Sequence, residues 1–160
     1  MTDFESLLRL LTRERVEFII VGGAAATVHG SARLTQDLDI VYRRTPQNVR
    51  RLADALSPYH PYLRGAPAGL PFRLDAETLQ RGLNFTLVTD LGDLDLLGEI
   101  AGGGNFEALF EHAHAIEAYG AQCHVLGLER LIEVKRAAGR PKDFEAIAEL
   151  EKILEARERN

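Results

Sequence analysis

Apolar positions along the chain change period several times, and each change marks an element. From Phe4 the apolar residues Phe4, Leu7, Leu8 and Leu11 recur at helical spacing, behind Thr2 with Glu5 three residues on, which reads as a capping box. "FIIV" at 18–21 is a short strand of aromatic and β-branched residues broken by Gly22 and Gly23, and "AAATVHG" behind it reads as a small-residue helix. "LDIVY" is a second strand, and Thr45 with Pro46 opens a helix whose face is Val49, Leu52, Ala53 and Leu56. Four of the six prolines fall between Ser57 and Phe72, so that stretch reads as a loop with little regular structure, a lid or a connector. "NFTLVTDLGDLDLL" carries two apolar runs about Asp90, Leu91 and Gly92, a tight hairpin with Asp93 and Asp95 on its second arm. "GEIAGGGN" reads as a flexible link, Phe106 starts a short helix, and "HAIEAYGAQCHVL" holds a strand or two. Leu128, Leu131 and Ile132 open a helix that stops at "AGRP", and Ile147, Leu150 and Leu154 mark the last one. Strands alternating with helices predict an α+β, layered α/β fold with a mixed sheet and a helical C-terminus.

Composition narrows this picture. A chain of 160 residues, 46% hydrophobic, supports one domain over 1–160, with a core at about 16–126 and a helical part at about 127–158. A formal charge of -5 argues against coating nucleic acid through the overall field while leaving room for a local basic patch. Cys123 is the single cysteine, which excludes an intrachain disulfide framework and a cysteine-based zinc site, and it reads as a small buried hydrophobe. His112, His114 and His124 lack zinc-ligand spacing. No long apolar run crosses a membrane and no leader pattern precedes the first helix, so the cytoplasm is the expected compartment.

The chemistry concentrates in "FIIVGGAAATVHGSARLTQDLDIVY". Side chains alternate along a strand, so Asp37 and Asp39 share a face while Leu38 and Ile40 point into the core. Neighbouring carboxylates repel unless a cation lies between them, and a divalent ion with oxygen ligands is the usual one. An isolated Asp-x-Asp is more often a solvated strand end, but Leu94, Asp95 and Leu96 repeat the pattern on the hairpin. Asp95 or its face-mate Asp93 would join the pair if the strands are adjacent. Three carboxylates could hold two divalent ions roughly 3.5 to 4 Å apart, the arrangement that serves in-line phosphoryl displacement. Gly22 and Gly23 either cradle phosphate at a helix start or simply permit a tight turn. Neither the P-loop nor the Gly-x-Gly-x-x-Gly spacing is present.

Val21, Gly22, Gly23, a spacer of thirteen residues and then Asp37, Leu38, Asp39, Ile40 resemble the signature of the nucleotidyltransferases of the DNA polymerase beta type. In that signature the spacer is about nine to thirteen residues. With "GDLDLLGEI" and "LIEVKRAAGRPKD", the chain looks most like small bacterial nucleotidyltransferase-like proteins related to AbiEii-type abortive-infection toxins, over roughly Phe18 to Asp143. The resemblance implies a nucleotidyltransferase fold and a magnesium- or manganese-dependent transfer of a nucleoside monophosphate from a nucleoside triphosphate such as ATP to a hydroxyl. An RNA 3′ end such as that of tRNA, a protein side chain or a small molecule would be the acceptor, the toxin-like resemblance favouring RNA or protein, and a toxin or antitoxin is a possible partner. It implies Asp37, Asp39 and Asp95 as metal-binding and catalytic residues, Gly22 and Gly23 on the triphosphate, Arg33 and Thr35 near phosphate or a metal ligand, and Lys135 facing the nucleotide. Asp95, flanked by leucines, matches the family's third acid better than Asp93, which abuts the turn glycine. Lys135, Arg136, Arg140 and Lys142 could meet a phosphate-bearing acceptor, or form a solvated helix surface. The rival class is a nucleotide- or partner-binding module without chemistry.

Overall fold

In the computed structural model, which describes residues 1–160, the periodicities become nine strands and seven helices. Helix α1, Phe4–Arg13, buries Leu7, Leu8, Leu10 and Leu11. Its cap is Asp3, whose carboxylate accepts from the backbone N–H of Ser6 at 3.0 Å. The Thr2–Glu5 box is therefore replaced. Thr2 is buried instead, its hydroxyl donating to the Gln36 carbonyl and accepting from the Asp93 N–H at 3.0 Å. A short polar side chain has gone to a long-range site where two backbone groups needed a partner.

Strand β1, Phe18–Val21, runs directly into α2, Gly22–Val28, so both glycines lie in the first turn of the helix. Strand β2, Asp37–Tyr42, follows, then α3, Pro46–Leu56, with Thr45 as its cap and Val49, Leu52, Ala53 and Leu56 buried as the pattern predicts. The proline-rich stretch is more ordered than its composition suggests. A 3-10 turn at Ser57–Tyr59 leads into a two-residue strand β3, Tyr62–Leu63. Helix α4, Ala76–Arg81, precedes the hairpin of β4, Asn84–Thr89, and β5, Gly92–Leu97. "GEIAGGGN" is likewise not a featureless link, because β6, Glu99–Ile100, pairs antiparallel with β7, Gly104–Asn105. Helix α5, Phe106–Phe110, and strands β8, Ala113–Ala118, and β9, Ala121–Leu126, come next. Helix α6, Leu128–Ala138, ends on Gly139 in the left-handed region, and α7, Phe144–Glu158, closes the chain.

Seven strands form one mixed sheet in the order β3-β4-β5-β2-β1-β9-β8. The central pair β2–β5 is parallel, as is β1–β9, while β1–β2 and the hairpins are antiparallel. Leu38, Ile40, Leu87, Leu94 and Leu96 are fully buried on one face, within a continuous cluster of 37 buried apolar residues that includes the inner sides of α1 to α6. Cys123 belongs to that cluster. Near the start of β1 and the end of β2, buried Asn48 accepts from the Glu17 N–H at 2.6 Å and donates to the carbonyls of Glu17 (2.9 Å) and Arg43 (2.8 Å). It locks the strand ends opposite the acidic residues to α3. No helix is long and apolar enough to cross a membrane.

Candidate active site

Asp37 and Asp39 lie at the start of β2, and Asp93 and Asp95 at the start of β5. Parallel pairing sets Asp37 beside Asp93, Leu38 beside Leu94 and Asp39 beside Asp95. Because the two strands are in phase, both leucines enter the core and all four aspartates share the other face. Asp37, Asp39 and Asp95 each present a carboxylate oxygen within 4.8 Å of the others. The hairpin thus delivers Asp95 to the pair. Asp93 lies alongside Asp37, outside that group of three.

The charges are poorly compensated. Asp39 forms no ion pair, and its Oδ1 is buried without any hydrogen-bond donor. Burial, then repulsion from Asp37 and Asp95, pushes its carboxyl up to about 8. Asp95 is also raised, by burial and by its contact with Asp37, against a lowering pull from Arg64. The Arg64 guanidinium is the cation in the cluster. Nη2 donates to Asp95 Oδ1 at 2.7 Å, Nε is 3.5 Å from Asp93 and Nη1 is 4.0 Å from Asp37. Nothing in the local sequence of the proline-rich stretch flags Arg64. The only available signal was indirect, since four carboxylates on one face call for a base within reach.

Gly22 is required by this geometry on two counts. Its φ of +63° lies in the left-handed region, and a Cβ there would stand 2.1 Å from Asp39 Oδ2. A Cβ on Gly23 would fall 2.7 Å from the Thr35 hydroxyl, which itself donates to the Asp37 carbonyl at 3.2 Å. Bare backbone at the first turn of α2 therefore closes directly onto the acids. Its seven-residue helix is short, so the close approach matters more than any dipole.

A cleft of about 370 Å³ opens from Gly22 and Asp39 between the end of β5 and α6. Its walls are apolar, from Leu97, Ile100, Leu131 and Val134, and Lys135 and Arg140 supply positive charge. Lys135 also reaches a smaller cavity of about 190 Å³ with Gly23, Arg33, Thr35 and Lys142. Arg33 is engaged elsewhere, with Glu145 at 3.1 Å and Glu149 at 3.8 Å on α7. Arg136 pairs with Glu151, and Arg140 with Asp143 at 2.7 Å, so half of the basic tail cluster is tied to its own helices. A larger cavity of about 570 Å³, lined by Glu17, Phe18, Arg43, Phe106 and Cys123, lies at the other end of the strands, away from the acids.

The donor set fits a hard divalent cation. Oxygens on one octahedral magnesium ion stand at most about 4.2 Å apart, so three oxygens within 4.8 Å need only a small side-chain adjustment. The orphaned Asp39 Oδ1 is the atom such an ion would satisfy.

No family model matches the chain, and no curated protein sequence matches it. A crystal structure of a candidate nucleotidyltransferase from Thermotoga maritima does share its architecture, with a TM-score of 0.57 and 16% identity over 93% of this chain and 94% of that one. At that identity the likeness bears on fold. The chain has a nucleotidyltransferase fold whose two central parallel strands bring three carboxylates together beside a glycine turn.

Proposed function

We propose that the protein is a divalent-metal-dependent nucleotidyltransferase that moves a nucleoside monophosphate from a nucleoside triphosphate to an acceptor hydroxyl, releasing pyrophosphate. The observation that carries this reading is the in-phase pairing of Asp37-Leu38-Asp39 with Asp93-Leu94-Asp95, which gathers three ligand oxygens within 4.8 Å against Gly22. Asp37, Asp39 and Asp95 would hold magnesium or manganese, which supplies charge neutralisation of the triphosphate and activation of the attacking oxygen. The acceptor oxygen attacks the α-phosphorus while the bond to the β-phosphate oxygen breaks. Asp95, the acid that the hairpin brings to the pair, takes the proton that the hydroxyl loses.

The first turn of α2, with Gly22 and Gly23, receives the phosphates, and Thr35 braces it from the Asp37 side. Lys135, which forms no ion pair, faces the triphosphate across the cleft, and the apolar walls from Ile100 to Val134 accommodate the nucleoside. Arg33 would join only by releasing Glu145 and Glu149. The acceptor we favour is an RNA 3′ end or a protein side chain, because the motifs resemble AbiEii-related proteins, and for the same reason an antitoxin-like partner fits. All 160 residues act as one unit in this reading.

A catalytically silent binding module is the second reading. It is favoured by Arg64, whose guanidinium already partly neutralises the acids. Incubating the purified protein with each α-labelled nucleoside triphosphate, magnesium or manganese, and total RNA or lysate decides between them. Label transfer that disappears in Asp39→Ala and Asp95→Ala supports the enzyme, transfer that survives those changes refutes the metal assignment, and no transfer to any acceptor favours the module.

A further inference from the structure

Arg64 sits where a side chain from an edge strand would not ordinarily end. Its backbone N–H donates to the Thr86 carbonyl at 2.9 Å, one residue past β3, at the rim of the sheet. From there its side chain passes over β4, where Nη2 donates to the Leu87 carbonyl at 2.8 Å, and reaches β5 and β2. The same Nη2 donates to Asp95 Oδ1, and the head lies within 4.0 Å of Asp93 and Asp37 as well.

That placement is incomplete in two respects. Nε of Arg64 is buried without a hydrogen-bond partner, and Asp39 Oδ1 is buried without a donor. A planar guanidinium carries one charge on five donors in a fixed fork and suits one or two carboxylates, whereas a divalent ion concentrates two charges at a point that three carboxylates can share. The Arg64 bond to Asp95 uses lone-pair capacity on one carboxylate of the proposed ligand set, so that contact and ion binding compete for the same group.

We propose that Arg64 is a resident counter-cation: it holds Asp95, Asp93 and Asp37 together while no divalent ion is bound, and it is displaced from the carboxylates when one binds. The inference rests on the metal-dependent reading above and adds a positioning residue to it. Arg64 keeps the acids from being driven apart by their own repulsion, and in exchange it weakens the apparent affinity for the ion. Its place one residue past a two-residue edge strand, in a glycine- and proline-rich stretch, lets the side chain withdraw without disturbing the central strands.

The test needs no turnover. Free Mn²⁺ is titrated by its electron paramagnetic resonance signal against wild type and Arg64→Gln. The variant should bind about tenfold more tightly, the scale of losing one competing charge-assisted hydrogen bond. A variant that binds equally or more weakly overturns the proposal. Because Arg64→Gln leaves four acids without a counter-charge and can fold poorly, wild type is also treated with phenylglyoxal, with and without Mn²⁺, and labelling at Arg64 is read by mass spectrometry. Displacement predicts faster labelling with the ion, and unchanged or slower labelling overturns it. If wild type binds Mn²⁺ and Arg64 does not respond, this inference alone fails. If wild type binds no Mn²⁺, the metal-dependent reading fails with it.

Discussion

Replacing Asp39 with Asn removes one charge from the most crowded point of the sheet and separates stability from function. Ligand oxygens of Asp37 and Asp95 lie within 4.8 Å of Asp39. At that distance two unit charges repel by about 3.5 kcal/mol for an effective dielectric constant of about 20. Arg64 offsets much of this through Asp95 and Asp37, and solvent at the half-exposed Asp37 screens more, leaving about 2 kcal/mol. Burial acts in the same direction as the repulsion, and the Asp39 carboxyl is pushed up to about 8. In the unfolded chain an aspartate titrates near 3.9. The folded protein therefore keeps this proton where the unfolded chain has lost it. The group's contribution to stability is complete below about pH 4 and is lost as pH rises through about 8. Asparagine has no proton to lose. In EDTA, Asp39→Asn should match wild type in acid and gain on it as pH rises, by at least about 2 kcal/mol at pH 8.5 from the relieved repulsion alone, or at least roughly 4 to 8 °C in Tm for a chain of this size, with the avoided burial of a charge adding to both. Circular dichroism melts from pH 4 to 8.5 measure this. Added Mn²⁺ should reverse the order, raising the Tm of wild type and leaving the variant unmoved. A variant no more stable than wild type at pH 8.5, or one whose advantage is the same at every pH, would refute the crowding argument.

Two further substitutions test the frame around the site. Gly22→Ala places a residue with a Cβ at φ +63° and drives that Cβ into Asp39; it should cost about 1 to 2 kcal/mol for the left-handed backbone and weaken Mn²⁺ binding at least about tenfold as the carboxylate moves. A melt within about 1 °C of wild type with unaltered Mn²⁺ binding would contradict it. Asn48→Ala, at the far end of β1 and β2, leaves the Glu17 N–H and the Glu17 and Arg43 carbonyls without their side-chain partner. Urea unfolding should show a loss of about 3 kcal/mol with Mn²⁺ binding per folded molecule unchanged, and a loss below about 1 kcal/mol would show that these groups find other partners.

Local pattern was enough to place the two aspartate pairs on strands, because the two-residue period that buries Leu38, Ile40, Leu94 and Leu96 also turns the acids outward, and that alternation spans only a few residues. The Thr45 cap, the Asp90-Leu91 turn and the Gly139 stop were legible for the same reason, each being decided by neighbours in sequence. Local pattern could not say that β5 would lie parallel to β2 and in phase with it. A one-residue slip would have kept both strands and sent Asp95 into the core, so the site depends on a register that only packing across the sheet selects. Nor could it show that Thr2 would leave the helix cap to bridge Gln36 and Asp93, or that Arg64 would reach from a proline-rich rim across β4 into the acids. Those contacts join residues far apart in the chain, and they form because buried backbone groups and crowded charges take whichever partner the fold brings within reach.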